Sequence, residues 1–502
     1  MTTAPGPDAP AAAQPPAAAA AQPPAAAAAQ PPAAAAAQPP AAAAAQPPAV
    51  PPAPAGPTDP VPSAPPRGPR LARDALVWLF FVAVHVWGAH LGTGPMAGAY
   101  TDVELYRSWA QTGLEYGQWP VLDGAWVYPA GALLPILVPA VVSTTSTVAY
   151  TLGWCALVTV LDAVAVAMLL RRRRGHLAAT WWIAFLLLLG PVAMGRLDAV
   201  IAPMTVVALL VALTHPRTSA VLITAAAWIK VSPGAAIIPL LLASRRPWRD
   251  VVQPAVLVCA VVVGTVVALS GGDEVLSFVR TQGERGLQVE SVAATGWLVA
   301  GLWTPTIRRE FNPDIISVEI YGPGTQAAAD VLGAVLPIAV LLTTALLWWR
   351  RRREGQHLWS DAAVRADFVV RGTFALTLVL IVANKVGSPQ FISWLAPPVA
   401  AALAFGLPRW RATAVAVAVV AGATQWVYPW YYPLVMGGQP LSTMVLVGRN
   451  VALVVLLVVT VVHLARVPRV PPVAGEGPAT EGTPGADPSG AVGDEPGQQV
   501  RA

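Results

Sequence analysis

The chain has 502 residues, a net charge of +5, 11% charged and 55% hydrophobic residues, and a mean hydropathy of +0.58. Soluble domains carry about 25% charged residues, so an ordinary soluble enzyme is excluded and a polytopic membrane protein is expected. The two cysteines, Cys155 and Cys259, lie in apolar runs, which excludes a disulfide framework. The basic residues come in bursts between apolar runs, a topology signal rather than a nucleic-acid footprint.

Residues 1–72 are low in complexity, with Gln14, Gln22, Gln30, Gln38 and Gln46 recurring every eight residues among alanines and Pro-Pro pairs. Each proline lacks an N–H and restricts the residue before it, so an extended cytoplasmic tether is expected rather than a helix. No apolar h-region marks it as a signal peptide. Residues 468–502 read as a second disordered cytoplasmic tail, which leaves 73–467 as the membrane domain.

A bilayer crossing takes about 17–25 apolar residues. Residues 75–92, 148–170, 177–194, 252–269 and 328–349 meet this, and 197–213, 372–383, 391–406, 412–427 and 450–465 do so with help from their neighbours. Asp162 within 148–170 predicts that this helix faces protein at that point. Arg67, Arg70 and Arg73, then Arg171 to Arg174, Arg350 to Arg353, Arg365 and Arg371, Arg409 and Arg411, and Arg466 and Arg469 all fall on one side if there are about ten spans with both termini in the cytoplasm. Two stretches fit as partial segments. Residues 129–143 hold Pro135 and Pro139, and residues 219–243 are broken at Lys230-Val-Ser-Pro233-Gly234. The second reads either as a re-entrant pair of half-helices or as one kinked span.

This topology leaves two large outer loops, about 93–128 and 270–325. They hold eleven of the 19 acidic residues between the tails, Glu284 and Asp314 among them. Asp102 and Glu104, two apart, share a face if the strand there is extended. Such a pair can supply a general base or bind a cation. Tyr106, Trp109, Trp126 and Tyr128 suit either a sugar ring or a membrane-interface belt. The second loop places Arg285, Gln288 and Glu290 together, either as a grip for phosphate and sugar hydroxyls or as a solvated loop. Only two of the 31 basic residues are lysines. Lys385, near Gln390 at the outer surface, is placed to meet a lipid phosphate. Lys230 stands at membrane depth, where an ionisable group marks a functional site or a snorkelling side chain. There is no P-loop, nucleotide fingerprint or metal-ligand cluster, and no cofactor or metal is expected.

Six segments in order resemble glycosyltransferase family 87, a polyprenyl-phosphate-mannose-dependent group of the GT-C superfamily. They are Asp102-Val-Glu104-Leu-Tyr106, Trp126-Val-Tyr128-Pro129, Gly195-Arg196-Leu-Asp198, Lys230-Val-Ser-Pro233, Arg285-Gly-Leu-Gln288-Val-Glu290-Ser291 and Lys385-Val-Gly-Ser388-Pro389-Gln390. The resemblance covers about 75–465. It implies an all-α, GT-C-like membrane enzyme with an inverting transfer from a polyprenyl-phosphate sugar, mannose in this group, to an extracytoplasmic glycolipid or glycan. By this resemblance Asp102 matches the base. Arg285 and Lys385, then Arg196 and Lys230, are the candidate phosphate ligands. Glu104, Tyr106, Trp109, Trp126, Tyr128, Gln288, Glu290 and Gln390 are the candidate sugar and acceptor contacts. Two other classes stay open: a lipid or polysaccharide flippase, and a non-catalytic envelope scaffold.

Overall fold

The computed structural model describes residues 68–466 apart from 284 and 314–316, so both tails, Glu284 and Asp314 lie outside the described residues. The described chain is helical with one β-hairpin. Helix α1 (Gly68–Thr93) is followed by α2 (Thr101–Tyr116), the short α3 (Leu133–Ala140), α4 (Thr147–Leu170) and α5 (Gly175–Leu189). Next come α6 (Asp198–Val211), α7 (Pro216–Ile229), α8 (Ile237–Leu242) and α9 (Gln253–Ala268). The second outer loop holds α10 (Ser277–Gly283), α11 (Thr295–Ala300) and strands β1 (Arg308–Asn312) and β2 (Ser317–Tyr321), paired antiparallel. The chain continues through α12 (Thr325–Glu354), α13 (His357–Ser360), α14 (Ala362–Val382), α15 (Ala396–Phe405), α16 (Arg411–Gln425), α17 (Tyr432–Met436) and α18 (Pro440–Ala465).

Seven described helical stretches are long and apolar enough to cross a bilayer. They coincide with seven of the ten expected spans. The other three are α6, α14 and the stretch Pro389–Phe405 that contains α15. Helix α6 has 14 residues, about 21 Å at 1.5 Å per residue, short of a hydrocarbon core of about 30 Å. Helix α14 is 21 residues long, but Arg365, Asp367 and Arg371 occupy its first half.

One core lies between α1, α5, α6, α14, α15 and α16, and a second joins α2, α3 and α4 to the start of α6. A third, smaller cluster lies under the hairpin, between Leu287, Leu298, Ile320 and Leu446. Helices α9 and α12 are peripheral, with little of their apolar surface buried. Asp162 is buried against protein as its position predicts, with His85 Nε2 3.2 Å and Trp182 Nε1 3.0 Å from its carboxylate.

Residues 216–250 form a re-entrant pair rather than a kinked span. Helix α7 stops at Lys230, whose extended backbone breaks it, and a turn through Ser232–Ala236 leads into α8. Arg217 at the start of α7 then meets Asp250 just before α9, at 3.4 Å, so the chain returns to the end it left.

The arginine-rich ends gather at one end of the bundle. Asp74 contacts His176 at 2.7 Å, Arg172 donates to the Leu210 carbonyl at 2.6 Å, Arg245 donates to the Trp359 carbonyl at 2.9 Å, and Asp367 joins Arg350 and Arg371.

Candidate active site

At the opposite end, α2 carries the first candidates. Val103, Tyr106, Ala110 and Gly113 recur at helical spacing and are buried, while Asp102 and Glu104 occupy the first turn, where the helix dipole favours acids. Gly117, at φ 69°, ends the helix. This corrects the shared face expected of Asp102 and Glu104. At about 100° per residue, two positions apart on a helix point to nearly opposite sides. Glu104 turns away and pairs with Arg107 at 2.5 Å, which holds its carboxyl below the usual range, and Arg107 also donates to the Thr144 carbonyl. Glu104 is therefore not beside Asp102.

Asp102 faces inward and meets Arg196 at 3.2 Å. Arg196 is buried and donates to the Tyr428 hydroxyl at 3.0 Å and to the Gly195 carbonyl. Expected as a phosphate ligand, Arg196 is found with one side of its guanidinium on Asp102 and Tyr428, while its Nε has no hydrogen-bond partner among the described residues. Two residues on, Asp198 is fully buried at the start of α6 and receives Lys230 Nζ at 2.5 Å and Trp394 Nε1 at 2.5 Å. The turn 196–198 thus links Asp102 on α2 to Lys230 at the re-entrant apex.

Lys230 opens onto a cavity of about 690 Å³. Its polar wall has Lys230, Ser232, Asp330, Asn384 and Lys385; its apolar wall has Phe278, Leu332, Leu336 and Leu380. Lys385 Nζ donates to the Gly283 carbonyl at 2.8 Å. Lys230 Nζ lies 5.8 Å from the Tyr128 ring and 6.0 Å from the Trp394 ring. Arg285 is half-buried nearby; burial lowers its guanidinium from the ordinary value, and Tyr128, Glu319 and Asp102 oppose this.

The aromatic quartet is an interior cluster. Trp109 meets Trp126 at 5.3 Å and Tyr128 at 6.1 Å between ring centroids, and Tyr106 meets Tyr128 at 6.4 Å. Tyr106 and Trp126 are buried, so neither belongs to a belt in contact with headgroups. The Tyr106 hydroxyl accepts the Leu197 N–H at 3.2 Å, which fixes the 196–198 turn against α2.

Gln288, expected as a substrate contact, ties two loops together. Its Oε1 accepts the Gly387 N–H at 2.8 Å, its backbone N–H donates to the Lys385 carbonyl at 3.0 Å, and its Nε2 donates to Glu290 at 3.3 Å. A Cβ at Gly387 would stand 2.4 Å from the Glu290 carbonyl, so glycine is needed where the two loops cross. Gln390 follows on the turn Pro389–Leu395 and is half-buried. Arg449 on α18 donates to the Glu290 carbonyl, and Asn450 donates to the Ser291 carbonyl at 3.1 Å.

Glu290 is itself buried, with Oε1 lacking a hydrogen-bond partner among the described residues. Burial raises its carboxyl from 4.5 to about 7, against the opposing pull of Arg449 and Arg196. A raised carboxyl stabilises the fold fully below pH 4.5 and loses that contribution as the pH rises through 7, about 3 kcal/mol in total. The thermal stability of the detergent-solubilised protein is therefore expected to fall with rising pH relative to that of Glu290→Gln. Parallel pH curves for the two proteins would refute this.

Trp394 and Tyr428 escaped the sequence reading. Each sits in an apolar span-like stretch, where nothing in the residue order marks it for a site.

No curated protein and no solved structure matches the chain. The family model described as glycosyltransferase family 87 matches residues 126–380, about half the chain, and takes in Trp126, Arg196, Asp198, Lys230, Arg285 and Glu290. Asp102 and Lys385 lie outside the matched range but reach it through Arg196 and Gly283. The chain belongs to glycosyltransferase family 87 and is a polytopic membrane glycosyltransferase, which moves a sugar from a donor to an acceptor.

Proposed function

We propose that the enzyme transfers mannose from a polyprenyl-phosphate donor to an extracytoplasmic glycolipid or glycan, with inversion and with Asp102 as general base. The observation that carries this reading is the cavity of about 690 Å³, in which two lysines face an apolar wall on the peripheral helix α12. That combination suits one ligand with a phosphate at one end and a hydrocarbon chain at the other. A nucleotide sugar has no use for the apolar wall.

In this reading Lys230, Lys385 and Arg285 meet the donor phosphate, whose negative charge grows as it leaves. The acceptor hydroxyl attacks the anomeric carbon from the face opposite the phosphate. The new C–O bond forms as the bond to the phosphate oxygen breaks, and the polyprenyl phosphate keeps the electron pair. Asp102 takes the hydroxyl proton on Oδ2, while Arg196 holds Oδ1 and so sets the carboxylate's direction. Tyr106, Trp109, Trp126 and Tyr128 shape the wall beside the sugar. Purified enzyme is expected to use polyprenyl-phosphate mannose and to give the opposite anomer. Transfer from a nucleotide sugar alone would overturn the donor assignment.

The same reading puts the arginine-rich end in the cytoplasm. In a background lacking Cys155 and Cys259, a cysteine at the exposed position of Glu310 is expected to react with an impermeant reagent outside intact cells. Cysteines at Arg172 and Arg352 are expected to react only after lysis. Labelling of Arg172→Cys in intact cells would reverse the orientation.

A further inference from the structure

We propose a second ligand site, at the arginine-rich end of the bundle: a cavity of about 450 Å³ that receives the phosphate of an anionic phospholipid headgroup. It is enclosed by the end of α12, the start of α14, the turn before α16 and the end of α18. Asp330 lines the donor cavity and Arg350 lines this one, both on α12. Twenty residues of helix separate them by about 30 Å, one hydrocarbon thickness. A donor bound at Lys230 and Lys385 therefore cannot place its phosphate here.

The cavity carries more positive charge than its acids neutralise. Five arginines face three carboxylates. Asp367 is satisfied by Arg371 at 2.7 and 3.0 Å and by Arg350 at 3.4 Å, and Asp361 caps α14 by accepting the Ala363 N–H at 2.7 Å. Arg350 is only 5% exposed and pairs with Glu354 at 2.7 Å, yet its Nη1 has no hydrogen-bond partner among the described residues. The same holds for Oε2 of the buried Glu354. A buried donor and a buried acceptor on one ion pair are thus both left without partners, at a cost that a ligand would remove. At the rim, Arg353, Arg409 and Arg466 are exposed and make no ion pair among the described residues. Arg409 holds its place with φ at 63°, a left-handed backbone that non-glycine residues rarely adopt and that tends to mark functional positions.

These groups match a phosphodiester that also carries a hydroxyl. The guanidinium forks take the phosphate oxygens, and Glu354 Oε2 accepts the hydroxyl. A lipid is favoured over free phosphate by what adjoins the cavity. Trp348 and Trp349 on α12, and Val458, Val459 and Val462 on α18, expose apolar surface within about two turns of it, where acyl chains can lie. Basic pockets between spanning helices bind such headgroups on general electrostatic grounds.

The test is a titration of the full-length, detergent-purified protein with phosphatidylglycerol or phosphatidylcholine, read by native mass spectrometry, with inorganic phosphate as competitor. The unsubstituted protein is expected to prefer phosphatidylglycerol by about tenfold or more. Arg353→Ala with Arg409→Ala should remove that preference, and the corresponding pair of lysine substitutions should restore part of it. Arg351→Ala with Arg352→Ala removes the same amount of charge from the helix turn that carries Arg353, outside the cavity, and should keep the preference. Equal loss in both alanine pairs would reduce the effect to diffuse attraction and overturn the site. Unchanged preference in the Arg353 and Arg409 pair would do the same. Full displacement of the lipid by inorganic phosphate would overturn the lipid assignment in favour of a free-phosphate site.

Discussion

Asp102→Asn is expected to abolish sugar transfer while leaving donor binding near that of the unsubstituted enzyme. The amide keeps the shape of the side chain and a hydrogen-bonding contact with Arg196, so the fold around the 196–198 turn should survive. What it loses is the ability to take a proton, and general-base catalysis is worth about 10²–10⁴-fold. A transfer assay beside a donor-binding titration separates the two effects. Full turnover in Asp102→Asn would sink the mechanism, whatever else the site does. Arg196→Lys gives a finer test of the positioning role. It keeps the charge but loses the fork that spans Asp102 and Tyr428, so kcat should fall with little change in KM. If only KM rose, Arg196 would belong with the donor phosphate after all.

The second large effect is expected at the two lysines. Lys385→Ala should weaken donor binding by about ten- to a hundredfold, since a charge-assisted hydrogen bond contributes about 1.5–3 kcal/mol. Lys385 has no carboxylate partner among the described residues, so this loss should come without a large drop in stability. Lys230→Ala differs, because it leaves the carboxylate of Asp198 buried and unpaired, which costs about 3–5 kcal/mol. Adding Asp198→Ala removes the stranded charge. The double variant should recover stability toward that of the unsubstituted protein and still bind donor poorly. A double variant that regained donor binding would make Lys230 a structural partner of Asp198 and nothing more. Normal donor binding in both Lys385→Ala and the double variant would move the phosphate to Arg285.

The membrane class, seven of the crossings and the gathering of arginines at one end were all legible in the chain. Each depends on a property that survives without tertiary contacts: the length of an apolar run, or the charge that follows it. Asp162 was legible for the same reason, since a carboxylate inside an apolar span must find protein partners. The family segments carried Asp102, Lys230 and Arg285 into view by order alone. Other features depended on direction and distance, which the order of residues does not encode. An acid pair two residues apart shares a face in a strand and splits in a helix, so Glu104 left the site only once α2 was seen. Arg196 and Arg285 are alike as residues, but burial beside Asp102 and Tyr428 set Arg196 on the carboxylate, while Arg285 stays half-buried with no such ion pair among the described residues. The ion pair between Arg217 and Asp250 decided between a kinked span and a re-entrant pair, because a broken helix leaves either continuation open. Trp394 and Tyr428 reach Asp198 and Arg196 from segments more than 150 residues away, so their role came only from the packing of α6, the segment after α16 and the turn before α15.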